Sequence, residues 1–337
     1  MHNGTVNEAV ILAAGEGSRM NAGGTCEHKA LRRLLGIPLI ERGILALREA
    51  GIERFVVILG HAAAAVRDRL GDGSRLGVEI VCVECRDWVK GNGASLYAAR
   101  EALLQDRFLV AMADHWYEPG IPRRMIEAAA GDQANLLVTD SRVDAVFDAD
   151  DATRVRVDAS GTVRAVGKGL DEFNAVDCGL FVFSREVFGT LQGCFAAGDF
   201  SVTGAANRLS RRGQLASVDA GGLMWEDVDT EEAIRAARRK LVGSLPGRDD
   251  GPVARLINRR LSVPLSLAAV RLGATPNSVS AIGFGTAVLA GVAFALGHPL
   301  AGGVASQVAS IVDGSDGEVA RARFQASAWG GLLDSIL

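Results

Sequence analysis

Val10-Ile11-Leu12-Ala13-Ala14-Gly15-Glu16-Gly17-Ser18-Arg19 is an apolar run that breaks into a glycine-rich turn and closes on an arginine. An unbroken apolar run without polar alternation indicates a strand covered on both faces, as in a parallel sheet. The turn after it lets backbone N–H groups approach phosphate oxygens, and Arg19 adds positive charge. Gly15-x-Gly17 alone says little. It has neither the third glycine of a dinucleotide fold nor the Gly-Lys-Ser/Thr end of a P-loop. Ser18-Arg19 and the later Lys29 make the string far more specific.

From this turn to about residue 240, β-branched runs at 55–59, 78–83, 108–112 and 180–183 alternate with helix-like stretches at 38–50, 62–70 and 95–104. That alternation predicts a Rossmann-like α/β domain with a mostly parallel sheet and helices on both faces. The whole chain has 337 residues, 48% hydrophobic and 23% charged, which excludes a disordered polypeptide. Lys and Arg total 36 against 40 Asp and Glu, so no broad basic surface for nucleic acid is expected. Five cysteines, an odd number in a long chain, point to a reduced cytoplasmic setting and not to a disulfide framework. Met1 to Glu8 is polar, so no signal peptide is expected.

Near residue 240 the character changes. Arg235, Arg238, Arg239 and Lys240 form a basic helical run, and 243–251 reads as a linker. Residues 251–272 interleave arginines with leucines and valines, the pattern of an amphipathic segment on a membrane surface. Ser278 to Gly297 then carries no charged residue and is long enough to enter a bilayer, and a second apolar run covers 300–312. The arginines before them place the N-terminal side in the cytoplasm.

Several ordered segments of the first part resemble one family. They are Gly15-x-Gly17-Ser18-Arg19 with Lys29-Ala30-Leu31, Gly91-Asn92-Gly93-Ala94-Ser95-Leu96, Met112-Ala113-Asp114-His115, Val166-Gly167-Lys168, Val176-Asp177-Cys178-Gly179 and Trp225-Glu226-Asp227-Val228-Asp229-Thr230. Together they resemble the sugar-phosphate nucleotidyltransferases, in particular the cytidylyltransferase branch. Where that family has Pro-Lys-Pro-Leu, this chain has His28-Lys29-Ala30-Leu31. The resemblance implies a GT-A-like nucleotidyltransferase fold. It implies that Leu12, Ala13, Ala14, Gly15, Gly17, Ser18, Gly91, Asn92 and Ser95 hold the nucleotide, and that Arg19 and Lys29 take the triphosphate. Lys168 would take the phosphate of the second substrate, and Asp114 and Asp229 would hold Mg²⁺.

The chemistry accounts for these residue types. A substrate phosphate attacks the α-phosphorus of a nucleoside triphosphate and pyrophosphate leaves, so two anions must be brought together. A hard divalent cation held by carboxylates bridges phosphates and stabilises the developing charge. No covalent nucleophile is required, because positioning and electrostatics suffice. Asp114 and Asp229 each follow an apolar stretch, which predicts convergence at the carboxyl edge of the sheet, where open α/β folds bind ligands. Elsewhere the expectations are plainer. Cys82-x-x-Cys85 sits among valines without a second pair at zinc spacing and reads as core. Arg142 and Asp144 read as surface charges, and His115 as either a substrate contact or a structural hydrogen bond.

Asp313-x-x-Asp316-Gly317-x-x-Ala320-Arg321, eight further residues and Gly330-x-x-x-Asp334 resemble the CDP-alcohol phosphotransferase signature. Positions three apart share a helix face, so Asp313 and Asp316 present two carboxylates together. The resemblance implies metal binding by Asp313, Asp316 and Asp334, with Gly317, Ala320 and Arg321 around CDP. The signature has one more Asp, four residues after Asp334, and the chain reaches only Leu337. Residues 278–337 are therefore read as the N-terminal part of a truncated membrane domain, after a nucleotidyltransferase domain at 1–243 and a linker with a juxtamembrane segment at 244–277. The two halves resemble a bifunctional family joining an inositol-1-phosphate cytidylyltransferase to a CDP-alcohol phosphotransferase. That implies CTP and a phosphorylated alcohol as substrates: inositol 1-phosphate first, phosphocholine or a phosphonate alcohol as alternatives. It implies a multi-pass protein of the cell membrane, lipid around its C-terminal segment and a cytoplasmic head, with a homodimer left open. The rival reading is a membrane-tethered nucleotide-binding regulator without turnover.

Overall fold

The computed structural model describes residues 6–16, 28–131, 134–145, 151–245 and 258–325. The chain divides into two compact units, Met1–Arg33 with Pro38–Ala237, and Leu34–Ile37 with Arg238–Leu337.

The first unit is built on a nine-stranded sheet. β1 (Glu8–Ala13) is followed by the two-residue strands β2 (Arg33–Leu34) and β3 (Ile37–Pro38), then β4 (Arg54–Leu59), β5 (Glu79–Glu84) and β6 (Arg107–Met112). β6, β1, β4 and β5 lie side by side and parallel, with Val10 opposite both Val56 and Val110. Every residue of β1 is buried, as its unbroken apolar run requires. Its single charge, Glu8, is 1% exposed and pairs with Arg54. Its Oε2 also accepts the Leu104 and Gln105 N–H groups at 3.0 Å each, so the buried carboxylate is satisfied.

The remaining strands are β7 (His115–Tyr117), β8 (Leu136–Asp140), β9 (Arg154–Val157), β10 (Val163–Gly167), β11 (Ala175–Ser184), β12 (Ala216–Asp219) and β13 (Trp225–Asp227). β11 runs antiparallel to β6 and carries β8 and β9 as further antiparallel partners. The expected mostly parallel α/β sheet is present, with an antiparallel strand set into it. Apolar runs do not encode strand direction, so β11's orientation is invisible in sequence. β13 pairs with β7 apart from the main sheet. Helices Leu39–Glu49, Ala63–Leu70, Asn92–Ala98, Gly120–Ala129, Val187–Phe195 and Val202–Arg211 connect the strands, and Glu231–Ser244 follows β13. The helix read at 95–104 begins earlier, at Asn92, and tightens into a 3₁₀ turn over Ala99–Glu101. Val10, Val56, Phe108, Val110, Phe181 and Phe183 belong to one core. Full burial contributes about 1.5–3 kcal/mol per such side chain, so this core outweighs the surface ion pairs.

The second unit contains helices Arg259–Arg271, Pro276–Ala295 and Pro299–Arg323. Thr275 caps the middle one, accepting the Ser278 N–H at 3.2 Å, and Pro276 stands in its first turn. Pro276–Ala295 is long and apolar enough to cross a membrane, the one such helix among the described residues. The second apolar run continues past 312 through Asp313, Asp316 and Glu318 as one helix. Val279 packs with Val312 and Val319, whereas Ile282, Phe284, Leu289 and Phe294 are exposed. Of the expected linker and amphipathic segment, 246–257 lie outside the described residues. The described helix Arg259–Arg271 turns its polar side inward: buried Glu318 accepts from Arg259 Nη1 at 2.9 Å, Ser262 Oγ at 2.8 Å and Ser266 Oγ at 2.6 Å. Leu261, Leu265 and Leu272 face outward.

Candidate active site

β1 and β6 are parallel neighbours, so the segments leaving them emerge at the same edge of the sheet. Beyond β1, a 3₁₀ turn of Lys29–Leu31 carries Lys29, and Asp114 follows β6 directly. The β7–β13 pairing sets Asp227 opposite His115, and Val228 N–H donates to the Asp114 carbonyl at 3.1 Å, which returns the chain to Asp114 just before Asp229. Lys29 Nζ lies 2.7 Å from Asp114 Oδ2, pairs with Asp229 and is 3.8 Å from Asp227 Oδ1. His115 Nδ1 lies 2.8 Å from Asp114 Oδ1 and 3.7 Å from Asp227 Oδ1.

Gly179 makes room for this arrangement. It sits at φ +73°, where β11 shifts register, and a Cβ there would lie 2.7 Å from His115 Nε2. Its carbonyl accepts the Tyr117 hydroxyl at 3.1 Å, and its N–H donates to Asp177 Oδ1 at 2.6 Å.

The electrostatics follow from burial against charge. Burial would raise the Asp114 carboxyl, but Lys29 and His115 hold it well below the usual carboxylate range. Burial would lower His115, but Asp227 and Asp114 push it up to about 9. Asp227 is raised, by burial first and by Asp114 and Asp151 after it. Asp227 Oδ1 is shut off from solvent and accepts no hydrogen bond among the described residues. Ligand atoms of Asp114, His115 and Asp227 lie within 4.8 Å of one another. Three carboxylates, one with an orphaned oxygen, form a hard oxygen donor set, and such a set fits a divalent cation.

The other sequence-predicted residues are placed as follows. Leu12 and Ala13 end β1 and Ala14 follows it, all three buried, Gly15 is exposed beyond them, and the Ala14 carbonyl accepts the His61 N–H at 3.0 Å. Gly17, Ser18 and Arg19 lie outside the described residues, as does Asp334. Gly91 and Gly93 approach the Phe200 carbonyl so closely that a Cβ on either would lie 2.6 Å from it. Asn92 Oδ1 accepts the Val202 N–H at 2.9 Å, and Ser95 is buried. Lys168 pairs with Asp151 at 2.6 Å and does not reach the Lys29 cluster directly. Cys85 is buried and Cys82 partly so, both free thiols. In the second unit Asp313 and Asp316 share the helix Pro299–Arg323, and Ser280 Oγ donates to Asp316 Oδ2 at 2.5 Å. A Cβ at Gly317 would lie 3.3 Å from Arg321, whose Nε donates to the Leu245 carbonyl at 2.5 Å, and Ala320 is half-buried beside them on the same helix.

Asp227, which lies within the Trp225–Thr230 string beside the expected ligand Asp229, joins the site as well. Arg142, read as a surface charge, is indeed partly exposed. Yet it donates to both Asp140 oxygens and to the Gly222 and Leu223 carbonyls, at 2.8 and 2.7 Å for the carbonyls. Asp140 Oδ2 also accepts the Trp225 indole N–H at 3.0 Å, so this fork anchors the start of β13.

A mixed α/β sheet with a lysine and several carboxylates gathered at its carboxyl edge defines the nucleotidyltransferase class. Residues 9–192 match the MobA-like NTP transferase domain family, and 274–337 match the CDP-alcohol phosphatidyltransferase family. The fold is shared with the inositol-1-phosphate CTP transferase from T. maritima, at a TM-score of 0.61 and 24% identity over 68% of this chain and 92% of that one. UDP-glucose pyrophosphorylase complexed with UDP-glucose is similar at a TM-score of 0.60 and 16% identity, over 69% of this chain and 97% of that one. The Bifunctional IPC transferase and DIPP synthase of Rubrobacter xylanophilus is 35% identical over 98% of this chain and 73% of its own length. That of Thermococcus kodakarensis is 35% identical over 98% and 72%. The chain belongs to this family of bifunctional transferases, with a nucleotidyltransferase part followed by a CDP-alcohol phosphotransferase part.

Proposed function

We propose that the head is a CTP-dependent cytidylyltransferase that converts a phosphorylated alcohol, inositol 1-phosphate in the first place, to the CDP-alcohol with release of pyrophosphate. The observation that carries this is the meeting of Lys29, Asp114, Asp227 and Asp229 at one sheet edge, where two phosphate-bearing reactants would have to be drawn together. Asp114 and Asp229, with Asp227 beside them, would hold Mg²⁺, which supplies charge neutralisation at the reacting phosphates. Lys29 offers its ammonium to the α-phosphate, and Arg19 acts on the triphosphate from the glycine-rich turn. Lys168, on the rim next to Asp151, takes the phosphate of the second substrate. Leu12 to Gly15, Gly17 and Ser18, with Gly91, Asn92 and Ser95, hold the nucleotide. His115 orients Asp114 through its 2.8 Å hydrogen bond. The choice of CTP and inositol 1-phosphate is supported by the names of the relatives and by the Gly91–Leu96 segment.

The second part transfers the phospho-alcohol from the CDP-alcohol to a second alcohol. Asp313, Asp316 and Asp334 serve a metal there, and Gly317, Ala320 and Arg321 serve CDP. We place the domains at 1–243, 244–277 and 278–337, in a multi-pass membrane protein with its head in the cytoplasm. Pyrophosphate release from CTP, measured across a panel of phospho-alcohols, tests the head. The fastest release is expected with inositol 1-phosphate, and comparable rates with UTP or GTP would overturn the nucleotide assignment. A polypeptide of residues 1–243 is expected to stay in solution and keep that activity.

A further inference from the structure

Asp316 is met by a side chain from the neighbouring helix. Ser280 Oγ, on Pro276–Ala295, donates to Asp316 Oδ2, on Pro299–Arg323, at 2.5 Å. The same hydroxyl oxygen lies 3.1 Å from the Pro276 carbonyl oxygen, four residues back in its own helix. A serine has one proton to give, and the two distances decide where it goes. The shorter contact falls in the range of a hydroxyl bonded to an ionised carboxylate, about 2.5–2.7 Å, and such a bond is roughly twice as strong as one between neutral groups. The two helices come close at this point. Val279 packs with Val312 and Val319, and a Cβ at Gly283 would lie 3.5 Å from Val312 Cγ1 and 3.7 Å from the Asp313 backbone nitrogen. Ser280 and Gly283, three residues apart, share the face that meets Asp313 and Asp316. From the third helix, Arg259 Nη1 donates to the Gly314 carbonyl at 3.0 Å and Ser266 Oγ to the Ser315 carbonyl at 3.2 Å. The turn from Asp313 to Asp316 is therefore held by both neighbouring helices, while Asp313 is exposed and Asp316 half-buried. Two carboxylates on one helix face, neither shut off from solvent, are hard oxygen donors that fit a divalent cation.

We propose that Ser280 is a positioning residue for the metal centre of the second part: its hydroxyl fixes the orientation in which the Asp316 carboxylate, together with Asp313, takes the divalent cation. A hydrogen bond to a ligating carboxylate sets both its orientation and its affinity for the metal, and losing such a bond typically costs roughly 10–100-fold. This rests on reading Asp313 and Asp316 as metal ligands.

The test is a Mn²⁺ titration of the full chain in detergent, followed by electron paramagnetic resonance, for wild type, Asp316→Asn, Ser280→Ala and Ser280→Thr. The class of sites that Asp316→Asn weakens or removes belongs to the second part, which separates it from the carboxylates of the head. Ser280→Ala should weaken that class about tenfold, the lower end of the usual cost, and leave the other class unchanged. Ser280→Thr keeps the hydroxyl and should bind as wild type does. The unfolding midpoint in EDTA should stay level in both Ser280 variants, because water reaches half-buried Asp316 and takes the lost bond. Wild-type Mn²⁺ affinity in Ser280→Ala overturns the proposal, as does a loss in Ser280→Thr as large as in Ser280→Ala. A lower midpoint in EDTA with unchanged Mn²⁺ affinity reduces Ser280 to a packing contact and overturns it too. If Asp316→Asn removes no class of sites, the reading of Asp313 and Asp316 as metal ligands has failed, and the proposal with it.

Discussion

The Nζ of Lys29 lies 2.7 Å from Oδ2 of Asp114, although one lies between the first and second strands of the chain and the other follows the sixth. The lysine lies among three carboxylates and balances part of their charge. Lys29→Met should therefore act twice. Turnover should fall by about a hundredfold or more, as a group facing the reacting phosphate is lost. The unfolding midpoint should fall further in EDTA than in excess Mg²⁺, because a cation can replace the missing charge. Equal losses in the two buffers would show that the carboxylates do not share a metal.

Asp114→Asn and Asp229→Asn should each cut turnover sharply while the chain still folds. Loss of a ligand at a phosphoryl centre removes transition-state stabilisation on the order of several kcal/mol. Steady-state pyrophosphate release at saturating Mg²⁺ is the measurement, and near-wild-type turnover in either variant would exclude that carboxylate.

Asp227 has an oxygen that is out of solvent and without a hydrogen bond among the described residues, and its pKa is raised. Asp227→Asn should weaken Mn²⁺ binding by roughly tenfold, a typical cost for perturbing a metal site. The same variant should stabilise the protein in EDTA, because one of several crowded like charges is gone. Titration calorimetry and thermal unfolding check the two halves separately.

Burial pushes the Asp177 carboxyl up to about 6, above the unfolded value of about 4. Ionising it therefore costs stability. Its favourable contribution is complete below about pH 4 and is lost as pH rises through about 6. Asp177→Asn keeps an acceptor for the Gly179 N–H. It should raise stability at pH 7 by roughly 1–3 kcal/mol and flatten the slope between pH 4 and 6. A lower midpoint at pH 7 would mean that the charge is stabilising.

Glu318 is fully buried and accepts from Arg259, Ser262 and Ser266. Glu318→Ala leaves the Arg259 charge without its carboxylate and should destabilise the second unit by about 3–5 kcal/mol. Protease sensitivity within 258–325 should rise accordingly, with pyrophosphate release by the head unchanged. Resistance equal to wild type would show that this ion pair is dispensable.

What the sequence determined by itself was the order of elements and the chemistry of the residues between them. Apolar runs such as Val10–Ala14 are dictated by local burial, and segments such as Gly91–Leu96 and the 313–321 signature are local strings, so both are legible one stretch at a time. Asp114, Asp229 and Lys29 could be named because each sits inside such a string. Tertiary structure alone decided which of them meet. The antiparallel set of β11, the pairing of β7 with β13 and the register shift at Gly179 are long-range relations between backbone segments, and no local pattern carries them. They bring Asp227 and His115 to Asp114, turn Arg142 from a surface charge into an anchor for β13 and leave Lys168 on Asp151. The inward polar side of Arg259–Arg271 has the same origin. The segment reads as amphipathic in isolation, and only the presence of Glu318 on a neighbouring helix determines which of its two sides is buried.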